Sequence, residues 1–230
     1  MAAHEDVQLV SIPAPGVQLE GELAIPDAAR GIVVFVHGSG SSRQSPRNRF
    51  VARSLRADAH VATLLFDLLS ESEEQEDLRT ARLRFDVGLL AGRVAEATAW
   101  LRDEPRTSKL AVGYFGASTG AAAALVAAGR APRDIAAVVS RGGRPDLAGP
   151  EALAHVRAPT LLIVGGEDAP VIDLNREALE HLQVESRLDI VPRASHLFQE
   201  PGALEQVARR AAAWFARFMP AAMEQPQPSR

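Results

Sequence analysis

The sequence contains no cysteine, which excludes disulfide bonds, thiolate metal ligands and a cysteine nucleophile. Aromatic residues are scarce, at 5% of the chain. No apolar run approaches the roughly 18 residues that a membrane-spanning helix requires. Residues 1–6 are polar and acidic, and they lack the basic segment and apolar core of a secretory signal. We therefore expect a cytoplasmic protein.

A strong excess of charge of either sign is also missing. The formal net charge is -4 and the pI is about 5.9, which gives no reason to expect nucleic acid or an anionic membrane as a partner. The carboxylates and histidines show no metal-ligand spacing, and no glycine-rich loop matches a phosphate-binding fingerprint. We expect no metal, no cofactor and a small-molecule substrate. The sequence leaves the oligomeric state open.

The chain does contain a regular alternation of strand and helix patterns. Residues 7–13 and 17–26 alternate apolar and polar side chains, which predicts an antiparallel hairpin. Continuous apolar runs such as 32–36 predict strands that are buried on both faces. The order of the patterns predicts an α/β fold with a mostly parallel sheet, helices on both faces and no lid domain. We expect one domain over residues 1–219 and a flexible tail over 220–230.

Further boundaries follow from the same patterns. We predict strands at 61–68, 110–115, 135–140, 160–164 and 186–191, and helices at 49–59, 78–102, 119–128, 150–156, 171–182 and 203–219. The long helix at 78–102 is expected to bend or break near Gly88 or Gly92. The acidic stretch 70–77 is predicted to be a solvated loop.

One motif organises the candidate chemistry. Gly116-Ala117-Ser118-Thr119-Gly120 stands between a predicted strand and a predicted helix. A serine on such a turn has an exposed hydroxyl, and the flanking glycines give it space. By itself the motif could be only a turn, so its interpretation as a nucleophile depends on partners elsewhere in the chain.

Suitable partners follow later strands. His196 comes after the last strand and could take the serine proton, and Asp168 comes after the strand before it and could orient the histidine. Asp146, after the preceding strand, is the alternative acid, and Asp168 could instead cap a helix. The order Ser118, Asp168, His196 is the order expected in the α/β-hydrolase architecture.

An oxyanion needs at least two N–H donors. The backbone of Thr119 would supply one and the backbone of Ser39, in the His37-Gly38-Ser39 loop, would supply the other. We interpret His37 as shaping that loop. Arg43 and Arg141 could bind a substrate carboxylate, as could Arg144. Alternatively, they could pair with the acidic stretch or simply face water.

These pieces, with the His37-Gly38-Ser39-Gly40 run, resemble the α/β-hydrolase superfamily, and more narrowly its dienelactone hydrolase-like branch. The resemblance covers nearly all of residues 7–219. Dienelactone hydrolases carry a cysteine nucleophile, where this sequence has Ser118. The resemblance therefore implies a serine hydrolase of small carboxylic esters. Dienelactone or lactone hydrolysis, thioester or peptide hydrolysis, and a non-catalytic binding protein on the same fold are the alternatives.

Overall fold

The computed structural model describes residues 7–219 of the 230-residue chain. Within that range a single eight-stranded sheet forms the centre of the molecule. Its strands are β1 (Val7–Ala14), β2 (Val17–Ala24), β3 (Gly31–Val36), β4 (Ala62–Phe66), β5 (Ala111–Ala117), β6 (Ile135–Arg141), β7 (Thr160–Gly165) and β8 (Ser186–Val191). The predicted tail at 220–230 lies outside the described residues.

Helices connect the strands and cover both sheet faces. They are α1 (Pro46–Ala59), α2 (Glu71–Thr80), α3 (Val87–Asp103), α4 (Thr119–Arg130), α5 (Pro150–His155), α6 (Ala169–His181) and α7 (Ala203–Phe218). Two short 3₁₀ turns lie at Leu83–Phe85 and Pro145–Ala148. Only the second turn and α5 stand between β6 and β7, so no lid domain enters there.

The strand order is β1-β2-β4-β3-β5-β6-β7-β8. The β1–β2 and β2–β4 pairs are antiparallel, and every pair from β4–β3 to β7–β8 is parallel. The predicted α/β fold with its N-terminal antiparallel hairpin is therefore confirmed. Because parallel strands end at the same edge of a sheet, the loops after β3, β5, β6, β7 and β8 meet at one edge.

Two apolar cores lie on opposite sheet faces. One packs β-strand side chains against α3 and α4, for example Val94 and Ala124. The other packs against α1 and α7, and includes Leu55, Val139 and Phe215. In β6, Val138 faces the first core, whereas its neighbours Ala137 and Val139 face the second, as a strand buried on both faces requires.

The acidic stretch predicted as a loop is a helix instead. Ser70 and Glu73 form a capping box, in which the Ser70 hydroxyl accepts from the Glu73 N–H and the Glu73 carboxylate accepts from the Ser70 N–H. This local arrangement starts α2 although the sequence is too polar to show an apolar stripe. The predicted long helix is also divided, because α2 ends at Thr80 and α3 begins at Val87, ahead of the predicted Gly88 and Gly92.

Two smaller boundary differences affect the site. Helix α1 starts at Pro46, three residues before the predicted start, because the Ser45 hydroxyl caps it by accepting from the Asn48 N–H. Strand β6 includes Arg141, which the sequence placed in the following loop. Among residues 7–219, no helix has both the length and the apolar character needed to cross a membrane.

Candidate active site

Ser118 occupies the turn between β5 and α4 in a strained conformation. Its φ of +50° and ψ of -124° lie in a region that side-chain-bearing residues rarely adopt. Such strain costs about 1–3 kcal/mol and is maintained by the surrounding structure. Ser118 holds the N-cap position of α4, yet its hydroxyl makes no capping hydrogen bond. The hydroxyl is therefore left available beside the start of the helix.

The two glycines of the motif permit this turn by close packing. A Cβ on Gly120 would lie 2.3 Å from the carbonyl oxygens of Val36 and His37. A Cβ on Gly116 would lie 2.4 Å from the Cα of Ala121. A side chain at Gly120 would push α4 away from the end of β3, and one at Gly116 would push it away from β5. Ser118 would move in either case.

His196 is hydrogen-bonded to Asp168, with 2.6 Å between His196 Nδ1 and Asp168 Oδ2. The two residues follow β8 and β7, and their side chains are 38% and 15% exposed. Asp168 stands at the N-cap position of α6, but its carboxylate makes no capping bond. Its carboxylate binds the histidine instead, and this contact fixes one imidazole nitrogen.

The His196 loop meets the Ser118 turn at residue 142. The Ser118 N–H donates to the Arg141 carbonyl at 3.2 Å, and a Cβ on the next residue, Gly142, would lie 3.5 Å from His196 Cε1. Within the described part of the chain, no hydrogen bond joins the Ser118 hydroxyl to His196. Serine–histidine contacts are often loose in free enzymes and tighten when substrate binds.

The alternative acid, Asp146, is engaged elsewhere. Both of its carboxylate oxygens accept from the Arg144 guanidinium, at 2.8 and 2.7 Å. Of the two carboxylates that the sequence left open, the structure joins Asp168 to the histidine. The Arg144 guanidinium is neutralised by the same pair, so it is not a free anion-binding group.

The two candidate oxyanion donors lie close to Ser118. A Cβ on Gly38 would lie 3.0 Å from the Ser118 Cβ, so the loop after β3 passes directly against the serine. The Ser39 N–H donates to the Thr119 hydroxyl at 2.8 Å. The Thr119 N–H is the first of α4, where an N–H has no acceptor within its own helix. The Thr119 N–H is thus open, whereas the Ser39 N–H is occupied by the Thr119 hydroxyl.

His37 has a structural position beneath this loop. Its Nε2 accepts from the Leu68 N–H at 3.1 Å, and its Nδ1 lies 3.0 Å from the Gly38 carbonyl oxygen, to which it donates. Burial lowers the pKa of His37, which keeps the ring neutral in this arrangement. The residue holds the loop after β3 against the loop after β4.

The candidate substrate-binding Arg43 is paired within the protein. Its guanidinium contacts the carboxylates of Asp67 and Glu20, and it is 17% exposed. These partners differ from the acidic residues of α2 that the sequence suggested. Because two carboxylates already neutralise Arg43, the structure gives it no unpaired charge to offer a substrate.

Arg141 differs from Arg43 in having no partner among residues 7–219. It is the last residue of β6 and only 8% exposed, and its Nη1 is buried without a hydrogen bond. Burial, together with the nearby positive charge of Arg47, lowers the pKa of Arg141 to about 10. A charged group is therefore held out of water next to the Ser118 turn.

Two positioning residues were missed by the sequence reasoning. The Glu200 carboxylate accepts from the Ser195 N–H at 3.0 Å and so fixes the backbone of the residue before His196. Hydrogen bonds from Ser195 hold the pKa of Glu200 below its usual value. The Asn175 Nδ2 donates to the Gly143 carbonyl at 3.0 Å and supports the loop after β6. The signal for Asn175 was an amide on the apolar face of an amphipathic helix, whereas Glu200 carried no signal.

A cavity of about 130 Å³ opens beside Ser39. Its walls combine the loop after β3 with leucines and with charged residues of α2 and the 3₁₀ turn, namely Leu68, Leu69, Leu78, Leu90, Glu74, Asp77 and Arg84. Arg84 is paired with Asp77, so its charge is compensated. Among residues 7–219, no cluster of three or more histidine and acidic side chains is placed to hold a metal ion.

The eight-stranded sheet, with a serine turn after β5 and a hydrogen-bonded acid and histidine after β7 and β8, defines an α/β-hydrolase fold. A sequence model of the dienelactone hydrolase family matches residues 19–221. The chain belongs to the dienelactone hydrolase family.

Solved structures agree with this assignment. A dienelactone hydrolase from Anabaena variabilis is 60% identical, with a TM-score of 0.91 over 94% of this chain and 99% of that one. An esterase from Pyrococcus furiosus is 17% identical, with a TM-score of 0.73 over 94% of both chains, and shares the fold. The family and its fold support a hydrolase.

A curated relative from Mycobacterium tuberculosis is 54% identical over 211 residues. The match covers 92% of this chain but 46% of the relative, which bears a provisional name as a phosphoribosyl transferase. The chain therefore spans about half the length of the curated relatives it matches, and that name describes the longer protein.

Proposed function

We propose that this protein is a serine hydrolase that cleaves small carboxylic esters through an acyl-enzyme on Ser118. The observation that carries the proposal is the 2.6 Å hydrogen bond between His196 and Asp168, in loops that meet the strained Ser118 turn. A base held in one tautomer beside an uncapped serine hydroxyl is the arrangement that nucleophilic acyl transfer requires.

In the first half of the reaction, the Ser118 Oγ attacks the ester carbonyl carbon while His196 Nε2 accepts the hydroxyl proton. The carbonyl oxygen gains the negative charge and is held by the N–H groups of Thr119 and Ser39. His196 then gives its proton to the leaving alcohol, and an acyl-Ser118 ester remains. Asp168 stabilises the imidazolium in both transfers.

In the second half, water takes the place of the alcohol. It attacks the acyl carbon and gives a proton to His196, and the collapsing intermediate returns that proton to the Ser118 Oγ as the acid leaves. The Ser39 N–H must exchange the Thr119 hydroxyl for the oxyanion during each half of the cycle. The reaction needs no group beyond these side chains and backbone amides.

The cavity beside Ser39 is of a size to hold a short acyl or alcohol group of the substrate. It is about 130 Å³ in volume and has four leucines in its walls. Two of its charged residues, Asp77 and Arg84, pair with each other and so offer no free charge to a substrate. This volume favours small esters over long acyl chains.

Lactone hydrolysis is the second candidate. The dienelactone hydrolase from Anabaena variabilis is 60% identical over nearly the whole chain, which favours a cyclic ester among the substrates. A lactone differs only in that the leaving alcohol stays attached to the acyl group, so the same steps apply.

Active-site labelling with a fluorophosphonate probe tests the nucleophile directly. We expect stoichiometric labelling of Ser118, located by mass spectrometry, and hydrolysis of nitrophenyl acetate and butyrate. Ser118→Ala should lose both properties, whereas Ser108→Ala, a serine in the turn between α3 and β5, should keep them. Labelling that persists in Ser118→Ala would contradict the mechanism.

A substrate panel separates the ester proposal from its alternatives. Nitrophenyl acetate, a γ-lactone, an acetyl thioester and an acetyl anilide should be compared at equal concentration by kcat/KM. We expect the two oxygen esters to be preferred. A preference for the thioester or the anilide would replace the proposed substrate class while leaving the Ser118 mechanism in place.

A further inference from the structure

Two arginines at the active-site edge have no acidic partner among the residues that the structure describes. Arg141 ends β6, and Arg47 is the second residue of α1. Within residues 7–219 neither forms a salt bridge or a side-chain hydrogen bond, and Arg141 Nη1 and Arg47 Nε are buried without any acceptor. By contrast, Arg43, Arg84 and Arg144 at the same edge are each paired with an aspartate.

The two guanidinium groups share one side of the sheet. Ala137 and Val139 of β6 belong to the core that α1 covers, and strand alternation places Arg141 on that same face. Arg47 stands in the first turn of α1, and its charge is close enough to lower the pKa of Arg141. Both therefore lie at the start of α1, under the active-site edge.

Backbone contacts place Arg141 directly beside the turn that carries Ser118. Arg141 is paired in register with Ala117, the residue before Ser118. The Arg141 carbonyl accepts the Ser118 N–H at 3.2 Å. An anion held by Arg141 would thus lie next to the turn that carries Ser118.

A buried cation without a counterion is costly to maintain. Removing a guanidinium from water is compensated in folded proteins by a carboxylate or by several hydrogen bonds, and Arg141 has neither. Arg47 is only half-buried, so its guanidinium is the member of the pair that a solute reaches from the surface.

We propose that Arg47 and Arg141 form an anion-binding subsite that takes the phosphate group of a phosphorylated ester substrate. The two unpaired guanidinium groups carry a charge of about +2, which a phosphate monoester dianion balances and a single carboxylate does not. Arginine forks also match the tetrahedral oxygens of phosphate. The proposal deepens the proposed ester hydrolysis, because it identifies a substrate group for the same site.

Binding of inorganic phosphate tests the subsite without any reaction. Isothermal titration calorimetry at constant ionic strength should compare the unmodified chain with Arg47→Gln and Arg141→Gln. Because a hydrogen bond to a charged group contributes about 1.5–3 kcal/mol, we expect each substitution to weaken phosphate binding by about tenfold or more. Arg49→Gln is the matched control on the same helix, since Arg49 is already paired with Glu22. It should bind phosphate like the unmodified chain.

Arg47 keeps the test decisive if Arg141→Gln fails to fold, because Arg47 is only half-buried. Equal phosphate binding in the unmodified chain and in Arg47→Gln would overturn the proposal. Equal loss in Arg49→Gln would overturn it as well, because the effect would then be one of net charge. Phosphate should also bind to Ser118→Ala, which separates this subsite from the hydrolase chemistry.

Substrate preference distinguishes a substrate phosphate from a free phosphate ion. Nitrophenyl esters of butyrate, of succinate and of 3-phosphopropionate should be compared by kcat/KM. We expect the phosphorylated ester to be preferred by about tenfold, and the preference to disappear in Arg47→Gln. A preference for succinate, or phosphate binding without any substrate preference, would overturn the assignment to a phosphorylated ester. If no ester is hydrolysed but phosphate binding still depends on Arg47, the hydrolase proposal fails and the anion site stands without its substrate.

Discussion

The backbone N–H of Ser39 donates a hydrogen bond to the hydroxyl of Thr119 across 2.8 Å. This contact ties the loop after β3 to the first residue of α4. It also occupies one of the two N–H groups that would hold the oxyanion in the proposed reaction. In the free protein, the Thr119 hydroxyl stands as an internal competitor for the substrate carbonyl oxygen.

Replacing Thr119 by alanine should therefore increase activity. The competing hydrogen bond has a net value of about 1 kcal/mol, so we expect kcat/KM for nitrophenyl acetate to rise by up to about fivefold. Thr119→Ser keeps the hydroxyl and should behave like the unmodified protein. A fall in kcat/KM for Thr119→Ala alone would mean that the hydroxyl mainly positions the Ser39 loop.

The two candidate acids should differ strongly in effect. Asp168→Asn leaves the shape of the site but favours the wrong histidine tautomer, so kcat should fall by about 10⁴-fold. Asp146→Asn removes only the pair with Arg144, and kcat should change by less than about tenfold. Steady-state kinetics on nitrophenyl acetate decides between them. An equal loss in both variants would contradict the assignment of Asp168.

The close approach of α4 to β3 can be tested with a single methyl group. A Cβ on Gly120 would meet two backbone carbonyl oxygens at 2.3 Å, so Gly120→Ala should lower the free energy of unfolding by more than about 3 kcal/mol. Gly92→Ala, in α3, is the control, because nothing lies within 4 Å of a Cβ there. It should gain about 0.5–1 kcal/mol from its better helix propensity. Denaturant unfolding measures both, and a fully stable Gly120→Ala would contradict the described contact.

The Asp77 carboxylate should make the free energy of unfolding depend on pH. Burial by itself raises the pKa of Asp77, but hydrogen bonds from Arg84 outweigh it and hold that pKa below its ordinary value of 3.8. A carboxyl group whose pKa is lower in the folded state stabilises that state at pH values above its unfolded-state pKa. The stabilisation is lost as the pH falls through the folded-state pKa. Asp77→Asn should thus be less stable than the unmodified chain at pH 7.

The difference should stay constant down to about pH 5 and shrink below about pH 4. Denaturant titrations at a series of pH values from about 7 down to about 3 measure it. Asp173→Asn, on the exposed surface of α6, is the control and should stay within about 0.5 kcal/mol at every pH. A difference between Asp77→Asn and the unmodified chain that does not depend on pH would contradict the role of the Asp77 charge.

Much of the fold could be predicted because its signals are local. Continuous apolar runs marked the parallel strands, and β8 was predicted at its observed boundaries, 186–191. The prediction for 70–77 was wrong for a physical reason. Helix α2 is stabilised by a capping box and by Arg84 and Arg93, which lie beyond it in the chain and bind Asp77 and Glu73. An apolar stripe, which the sequence reasoning looked for, plays no part there.

Part of the candidate site could likewise be predicted from local signals, and part depended on tertiary contacts. Residue type, spacing and strand order were enough to propose Ser118, His196 and two candidate acids, Asp168 ahead of Asp146, because each follows its own strand and parallel strands end together. The choice between Asp168 and Asp146 needed coordinates, since both carboxylates follow strands and only contacts show that Arg144 already holds one of them.

The sequence by itself determined the architecture, the serine turn and the order of its partners, because periodicity, glycine spacing and strand ends are properties of the chain. Only the tertiary structure decided which charges are free. Arg43 and Arg141 look alike in the sequence, but Arg43 lies against Asp67 and Glu20, whereas Arg141 is buried and pairs with no carboxylate in the described part of the chain. Pairing depends on which distant segments the fold brings together, and that is a property of the folded molecule alone.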